Sequence, residues 1–263
     1  MVWDYLLIFF IVSLLFSATG FYKERYFVSI GYGFSIAGIG AAMFTLSIMK
    51  AFDALHLHYV MFGLLVIYGI RLALFVLTRE MESQTYQKLI KENEKKKMPL
   101  LVKVSMWIFV SVLYTAMASP VLFTVSNYNY YPGGWVWVGI IICITGILFE
   151  TIADIQKSQQ KNKNPEKVAT KGLYGLVRCP NYFGEMLVWT GVFISSVGAL
   201  QGFAQWMIAI LGYACILFVM VTSTIRLDKR QMKQYGEDEA FQKYASKTPI
   251  LFPFVPVYHL HKK

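Results

Sequence analysis

With 263 residues, 56% of them apolar and 16% aromatic, the chain is too rich in hydrophobic side chains for a soluble domain, and its apolar runs reach bilayer-spanning length. A net charge of +10 would suit a nucleic-acid ligand in a soluble protein, but in a membrane protein Lys and Arg mark the cytoplasmic face and its anionic lipids, so no nucleic-acid partner is expected. Cys143, Cys179 and Cys215 form no CxxC pair, which argues against a disulfide framework or a zinc site.

Apolar runs at about 3–20, 28–49, 59–77, 104–126, 135–153, 185–199 and 203–225 predict an all-α polytopic membrane protein with seven transmembrane helices, the sixth the shortest. The expected organisation is one membrane domain, 1–263, with a two-helix portion at 1–58 and a core at 59–263 that carries cytoplasmic loops and a tail. The opening MVWDYLLIFF lacks a basic n-region and carries Asp4, so it reads as a first span rather than a signal peptide. Of the 25 Lys and Arg, 23 fall on one side, Lys50 lies on the other, and Arg71 is inside a helix. The positive-inside rule then places the N-terminus outside and the C-terminus in the cytoplasm. The protein is expected in a bacterial inner membrane or in the endoplasmic reticulum.

In the second helix Ser29, Gly33, Ala37 and Ala41 recur every four residues, a stripe that lets a neighbouring helix approach closely. In the third, Arg71 lies near the inner end, placed either to snorkel towards the cytoplasm or to serve a site. Tyr68 shares a helical face with Arg71 and Phe75. A phenol beside a fixed positive charge has its anion stabilised, as a proton donor to a developing enolate requires. Residues 80–98 read as a cytoplasmic helix ending in a lysine run, and NYNYYPGG at 127–134 as an external turn beside the aromatic belt of Trp135 and Trp137.

The fifth helix ends in FETIADIQK, where Glu150, Asp154 and Lys157 share one face as it leaves the membrane. A surface ion pair accounts for Asp154 and Lys157, whereas Glu150 is too deep for free solvation. A polar linker, QKSQQKNKNPEKVATK, leads to GLYGLVRCPNYFGEMLVWTG at 172–191. Here Arg178 offers a phosphate-sized charge, Asn181 an amide, Glu185 a carboxylate, and Tyr174 and Tyr182 stacking surfaces, while the glycines let backbone approach a ligand. Pro180 and Gly184 also suit the start of the sixth helix, with Asn181 as its cap. After the last helix, Arg226, Lys229 and Arg230 stand at the inner membrane surface, where they suit lipid headgroups or cofactor phosphates.

No GxGxxG opens a βαβ unit and no P-loop is present, so a nucleotide cofactor must be gripped by the helices and loops of the membrane fold. His56 and His58 form one HxH pair and His259 and His261 another, on opposite faces by the predicted topology, and no metal site is expected.

The combination of FExxADxQK, GLYGLVRCPNYFGE with Trp189 four residues on, and a DKR…YG…FxxYxxKTPILFPF tail resembles the steroid 5-alpha-reductase-like family, in particular its DUF1295 branch, over roughly residues 65 to 256. The resemblance implies a membrane oxidoreductase acting on CH–CH bonds, in which NADPH from the cytoplasm reduces a C=C bond conjugated to a carbonyl in a lipophilic substrate drawn from the bilayer. Residues 59–263 would then be the reductase-like core. Asp154, Asn181, Glu185 and Arg226 fall on the family's dinucleotide contacts, with Arg79, Glu150, Lys157, Tyr174, Arg178, Tyr182, Trp189, Asp228, Arg230 and Tyr244 as neighbours. Tyr68 and Arg71 match a Tyr-x-x-Arg element whose tyrosine is the proton donor. Two positions depart from the pattern. Steroid reductases carry a glutamate in helix two, and residues 28–49 contain no acid; the usual RHPNY is RCPNY, with Cys179 in place of histidine. Isoprenylcysteine carboxyl methyltransferases share an R-x-P-x-Y-x-G element and bind S-adenosylmethionine, but carry paired glutamates where this chain has Asp228, Lys229 and Arg230. That basic run suits NADPH phosphates better than a sulfonium, since like charges repel. The remaining alternative is a non-enzymatic lipid-binding membrane protein.

Overall fold

The computed structural model describes residues 2–51, 54–82, 98–127 and 133–260, and among these every regular element is helical. The helices are α1 (Val2–Ser17), α2 (Ile30–Ile48), α3 (His56–Glu82), α4 (Leu100–Ser126), α5 (Gly133–Lys163), α6 (Leu173–Leu176), α7 (Pro180–Ser196), α8 (Gly202–Tyr235) and α9 (Glu239–Ala245), with two 3₁₀ turns, Ala18–Phe21 and Glu24–Val28, between α1 and α2. The helix expected within 80–98, the turn within 127–134 and His261 fall largely or wholly outside the described residues. Among the described residues six helices are long and apolar enough to cross a membrane: those around α1 to α5, and α8. The sixth run of the sequence becomes α7, which has 17 residues, about 26 Å of helix against the ~30 Å of a hydrocarbon core. It starts at Pro180 rather than at 185, because Pro is pre-set for the first helical position. The two longest helices overrun the apolar signal. At 31 and 34 residues, α5 and α8 extend about 46 and 51 Å, so each carries a polar end beyond any bilayer it spans.

The chain folds as two compact units, residues 1–140 with 192–212, and residues 141–191 with 213–263. In the first, α2 and α3 meet through small residues. A methyl group added to Gly33 would stand 2.7 Å from the Gly69 carbonyl oxygen and 2.8 Å from the Ala73 nitrogen. The expected stripe thus packs a helix, although Ala41 is exposed and the contact continues instead at Gly40, beside the Phe62 carbonyl. Hydrogen bonds join α1 to α4, between the Ser17 and Ser111 hydroxyls at 2.9 Å and from Trp107 Nε1 to the Leu14 carbonyl at 2.9 Å. Pro120 inside α4 cannot donate to the Ala116 carbonyl, and the Ser119 hydroxyl does so instead at 2.8 Å. The same carbonyl lies 2.7 Å from where a Cβ on Gly212 would stand, so α8 begins close against the interrupted turn.

In the second unit the crossing of α5 and α7 is set by Gly146 and Gly184. A Cβ on Gly184 would stand 2.8 Å from the Glu150 nitrogen, and one on Gly146 2.6 Å from the Val188 nitrogen. The linker after α5 is tied back to that helix. Gln160 Oε1 accepts from the Thr170 and Lys171 amides at 2.9 and 3.0 Å, and Gln156 Oε1 accepts from the Leu173 amide at 2.8 Å. Gly172, at φ +71, makes the turn over Gln156, where a side chain would be both strained and obstructed.

Candidate functional site

The close helix crossing at Gly146 and Gly184 brings three buried carboxylates into the second unit, Glu150 and Asp154 from α5 and Glu185 from α7. Buried acids are costly unless hydrogen-bonded, and for Asp154 the structure supplies the partner. The Asn181 amide in the first turn of α7 donates to Asp154, the Tyr174 hydroxyl donates to Asn181 Oδ1 at 2.5 Å, and the Tyr244 hydroxyl donates to the Tyr174 carbonyl at 2.6 Å. Burial, with Asp154 adding to it, drives the Tyr174 hydroxyl far above its ordinary pKa, and burial does the same to Tyr244. Both phenols therefore stay protonated donors at any physiological pH. Asp154 is accordingly a buried acceptor, and the half-buried Asn181 links it to Tyr174 from the first turn of α7. Lys157 and Tyr182 are half-buried.

Arg178 departs furthest from expectation. Its side chain is only 1% exposed, and its guanidinium donates to Asp228 Oδ1 at 2.9 Å, to Gln231 Oε1 at 2.7 Å and to the Tyr258 carbonyl at 3.0 Å, while lying 5.5 Å from the centre of the Phe241 ring. One side chain thus ties the segment before α7 to α8, α9 and the tail. The backbone repeats the connection, with the Arg178 and Cys179 amides donating to the Pro249 and Ile250 carbonyls at 2.8 and 2.9 Å. The charge read as an anion site is spent on a buried aspartate. Asp228 is fully buried and also accepts from the Leu260 amide at 3.3 Å. Trp189, expected as a neighbour of the dinucleotide contacts, is buried on α7, and of the glycines read as ligand-approach points Gly184 serves the helix crossing and Gly172 a turn. Gln231 and Tyr258 were not singled out by the sequence reading. The signal available was the i, i+3 spacing of Asp228 and Gln231, which puts both on one face of α8. Arg226, Lys229 and Arg230 are exposed, Arg226 donating to the Ser223 hydroxyl at 2.8 Å. Burial pushes the Cys179 thiol, beside Arg178, up to about 12.

Tyr68, Arg71 and Arg79 belong to the first unit. Tyr68 is fully buried, and its hydroxyl is 3.2 Å from that of Tyr32 on α2. Tyr114, whose ring is 5.0 Å from that of Tyr32, donates to the Phe27 carbonyl at 2.7 Å. Helix two, which has no acid, therefore meets Tyr68 with a phenol. Arg71 and Arg79 both lie over the Phe75 ring, at 5.7 and 5.6 Å, and both are half-buried.

Among the described residues six apolar helices, two of them running on as polar extensions, define an integral multi-pass membrane protein, and the hydrogen-bonded acid, amide and phenol cluster is a buried polar site in its second unit. Residues 15–248 match the family described as Protein of unknown function (DUF1295). The chain belongs to that family, which is steroid 5-alpha-reductase-like. Among curated proteins it is 28% identical to steroid 5-alpha-reductase DET2 of Solanum lycopersicum over 169 residues, 62% of this chain and 59% of the relative. It is 33% identical to steroid 5-alpha-reductase DET2 of Arabidopsis thaliana over 75 residues, 26% and 29% of the two chains. It is 30% identical to very-long-chain enoyl-CoA reductase of Dictyostelium discoideum over 122 residues, 46% and 36%. The chain spans less than two thirds of each relative's length. No solved structure matches it significantly.

Proposed function

We propose that the protein is an NADPH-dependent membrane reductase of a C=C bond conjugated to a carbonyl in a lipid or steroid-like substrate. The relatives are named for reduction of a steroid and of an enoyl thioester, two substrates that share an activated double bond. The observation that carries the reading is the Asp154, Asn181 and Tyr174 relay, buried acceptors and donors at the end of a span and beyond what α5 and α7 need to cross each other. This donor and acceptor set suits the polar groups of a dinucleotide, and the exposed Arg226, Lys229 and Arg230 suit its phosphates. Glu150, Lys157, Tyr182, Glu185 and Tyr244 complete the proposed site, and Arg178 and Asp228 support it from within.

When bound, NADPH supplies the hydride. The Tyr68 hydroxyl hydrogen-bonds the carbonyl oxygen and stabilises the negative charge that develops there. Tyr32 holds that hydroxyl in place, the role that falls to a phenol where helix two lacks an acid, and Arg71 adds a fixed positive charge. The proposed topology has α7 as a seventh, short span, the N-terminus outside and the C-terminus with the cofactor site in the cytoplasm. Titration of the detergent-purified protein with NADPH and with S-adenosylmethionine tests the reading. Saturable binding of NADPH alone is expected, and binding of S-adenosylmethionine alone overturns it. With a 4-ene-3-oxo steroid and a 2-enoyl thioester as probes, Tyr68→Phe should leave NADPH binding unchanged and lower turnover.

A further inference from the structure

The tail after α9 contains eleven residues, 248–258, with no charged side chain: TPILFPFVPVY. It folds back on itself, the Ile250 amide donating to the Val257 carbonyl at 2.8 Å and the Val255 amide to the Phe252 carbonyl at 3.3 Å. The base is anchored through the rungs to Arg178 and Cys179, and through the Phe252 ring, which lies 6.2 Å from that of Phe183 on α7. The tip is unlike a soluble turn. Phe254 is 90% exposed, and Phe252, Val255 and Val257 are exposed beside it. Phe254 also holds φ +66, a left-handed conformation that water-facing turns assign to Gly or Asn and that a bulky side chain resists. The strain is stored where it turns an aromatic ring outward.

What faces those rings follows from the height of the hairpin on α8. Between the hairpin and α8 lies an open recess of about 150 Å³ whose walls are apolar throughout, with Val221 as the α8 residue and Ile250, Leu251, Phe252, Val255 and Val257 on the other side. Val221 precedes Arg226, the first charged residue of α8, by five residues, about 7.5 Å along the axis. Arg226, with Lys229 and Arg230, begins a belt of exposed basic residues that marks where α8 leaves the acyl region. A segment packed one and a half turns to the apolar side of that belt lies level with the upper acyl chains.

We propose that the 251–257 hairpin is a membrane-inserted wedge, with Phe252, Phe254 and Val255 buried in the acyl and glycerol region of the bilayer that α8 crosses, and a lipid chain filling the recess against Val221. The wedge docks the tail to the membrane and, through its two rungs, holds the segment that opens α7. The test uses the full chain in nanodiscs of phosphatidylcholine and phosphatidylglycerol, in a Cys215→Ser background, with an environment-sensitive fluorophore on Phe254→Cys. A second probe on Val255→Cys guards against disturbance of the strained position, and Lys243→Cys on the exposed side of α9 is the aqueous control. At 254 and 255 the expected result is a blue-shifted emission, quenched several-fold more by lipids spin-labelled near the headgroup end of the chain than by aqueous iodide, with the reverse order at 243. Iodide quenching at 254 and 255 equal to that at 243 overturns the proposal. So does protection from both quenchers together with crosslinking between labelled copies, which would assign the face to a second chain.

Discussion

Removal of the Arg178 guanidinium is the sharpest test of its reassignment from ligand contact to internal tie. In Arg178→Ala the fully buried Asp228 loses its charged partner, keeping the Leu260 amide and a His259 nitrogen 3.4 Å away, while Gln231 and the Tyr258 carbonyl each lose a donor. Breaking one side of a buried pair costs about 3–5 kcal/mol. For a domain of this size each kcal/mol moves the melting temperature by about 2–4 °C, so the fall should be roughly 6–20 °C. A thiol-reactive dye can follow the melt, because the free cysteines, Cys143, Cys179 and Cys215, all lie in the unit that Arg178 ties together. Arg178→Lys keeps the charge but not the planar fork that reaches three acceptors, and should fall between the two. Arg178→Met with Asp228→Leu, which removes both charges, should recover more than half of the loss. A melting temperature within 2 °C of the parent in Arg178→Ala, with NADPH binding lost, would refute the internal role and restore Arg178 as a ligand contact.

Gly184→Val should lower stability by about 1–3 kcal/mol, since its Cβ meets Glu150 backbone that cannot step aside, whereas Gly202→Ala, with open space around its Cβ and φ +63, should lose only about 1–2 kcal/mol; thermal melts of the two variants compare them. Cys179, its thiol pushed up to about 12 by burial, should resist maleimide at pH 8 in the folded protein and react in Arg178→Ala, as mass spectrometry of the labelled peptide would show. Because the folded pKa is raised, its contribution to stability is full below the unfolded value near 9 and is lost as pH rises towards 12; a melting temperature in Cys179→Ser that falls as steeply over that window as in the parent would remove Cys179 as a cause.

Six of the seven expected spans were legible because bilayer crossing demands about twenty apolar residues in a row, a demand that composition alone displays. Their ends were less so. Helix α5 continues ten residues past the apolar run that ended at 153, because Gln156 and Gln160 pair with the returning linker, a tertiary reward that a local pattern does not show. The chemistry-bearing stretch at 172–191 was visible as polar residues at the mouth of a hydrophobic segment, but their directions were not. Arg178 and Asp228 are fifty residues apart in sequence, and nothing local distinguishes an arginine facing a ligand from one facing a buried aspartate. Tyr32 was missed for a related reason. The absence of an acid in helix two was plain, but which residue meets Tyr68 depends on the register set where Gly33 and Gly69 let α2 and α3 touch.

If Arg178 is committed to Asp228, the phosphates of the proposed cofactor must be met by other cations. Along α8, Asp228 is turned into the protein while Arg226, Lys229 and Arg230 are exposed, and Arg226 and Arg230 are four residues apart on one face. We propose that this face, and not the R-x-P-N-Y arginine, meets the phosphates. Each charged contact at such a solvated position is worth about 1–2 kcal/mol, so Arg226→Gln and Arg230→Gln should each raise the Kd for NADPH by roughly 5- to 30-fold. The loss should shrink as ionic strength rises, because exposed charges are screened within about 8–10 Å at moderate salt. Neither variant should move the melting temperature by more than about 2 °C, the opposite of the pattern predicted for Arg178→Ala. Unchanged NADPH affinity in both would remove this face from the site, and a melting temperature that collapsed with affinity would show that these arginines, too, are spent inside the fold.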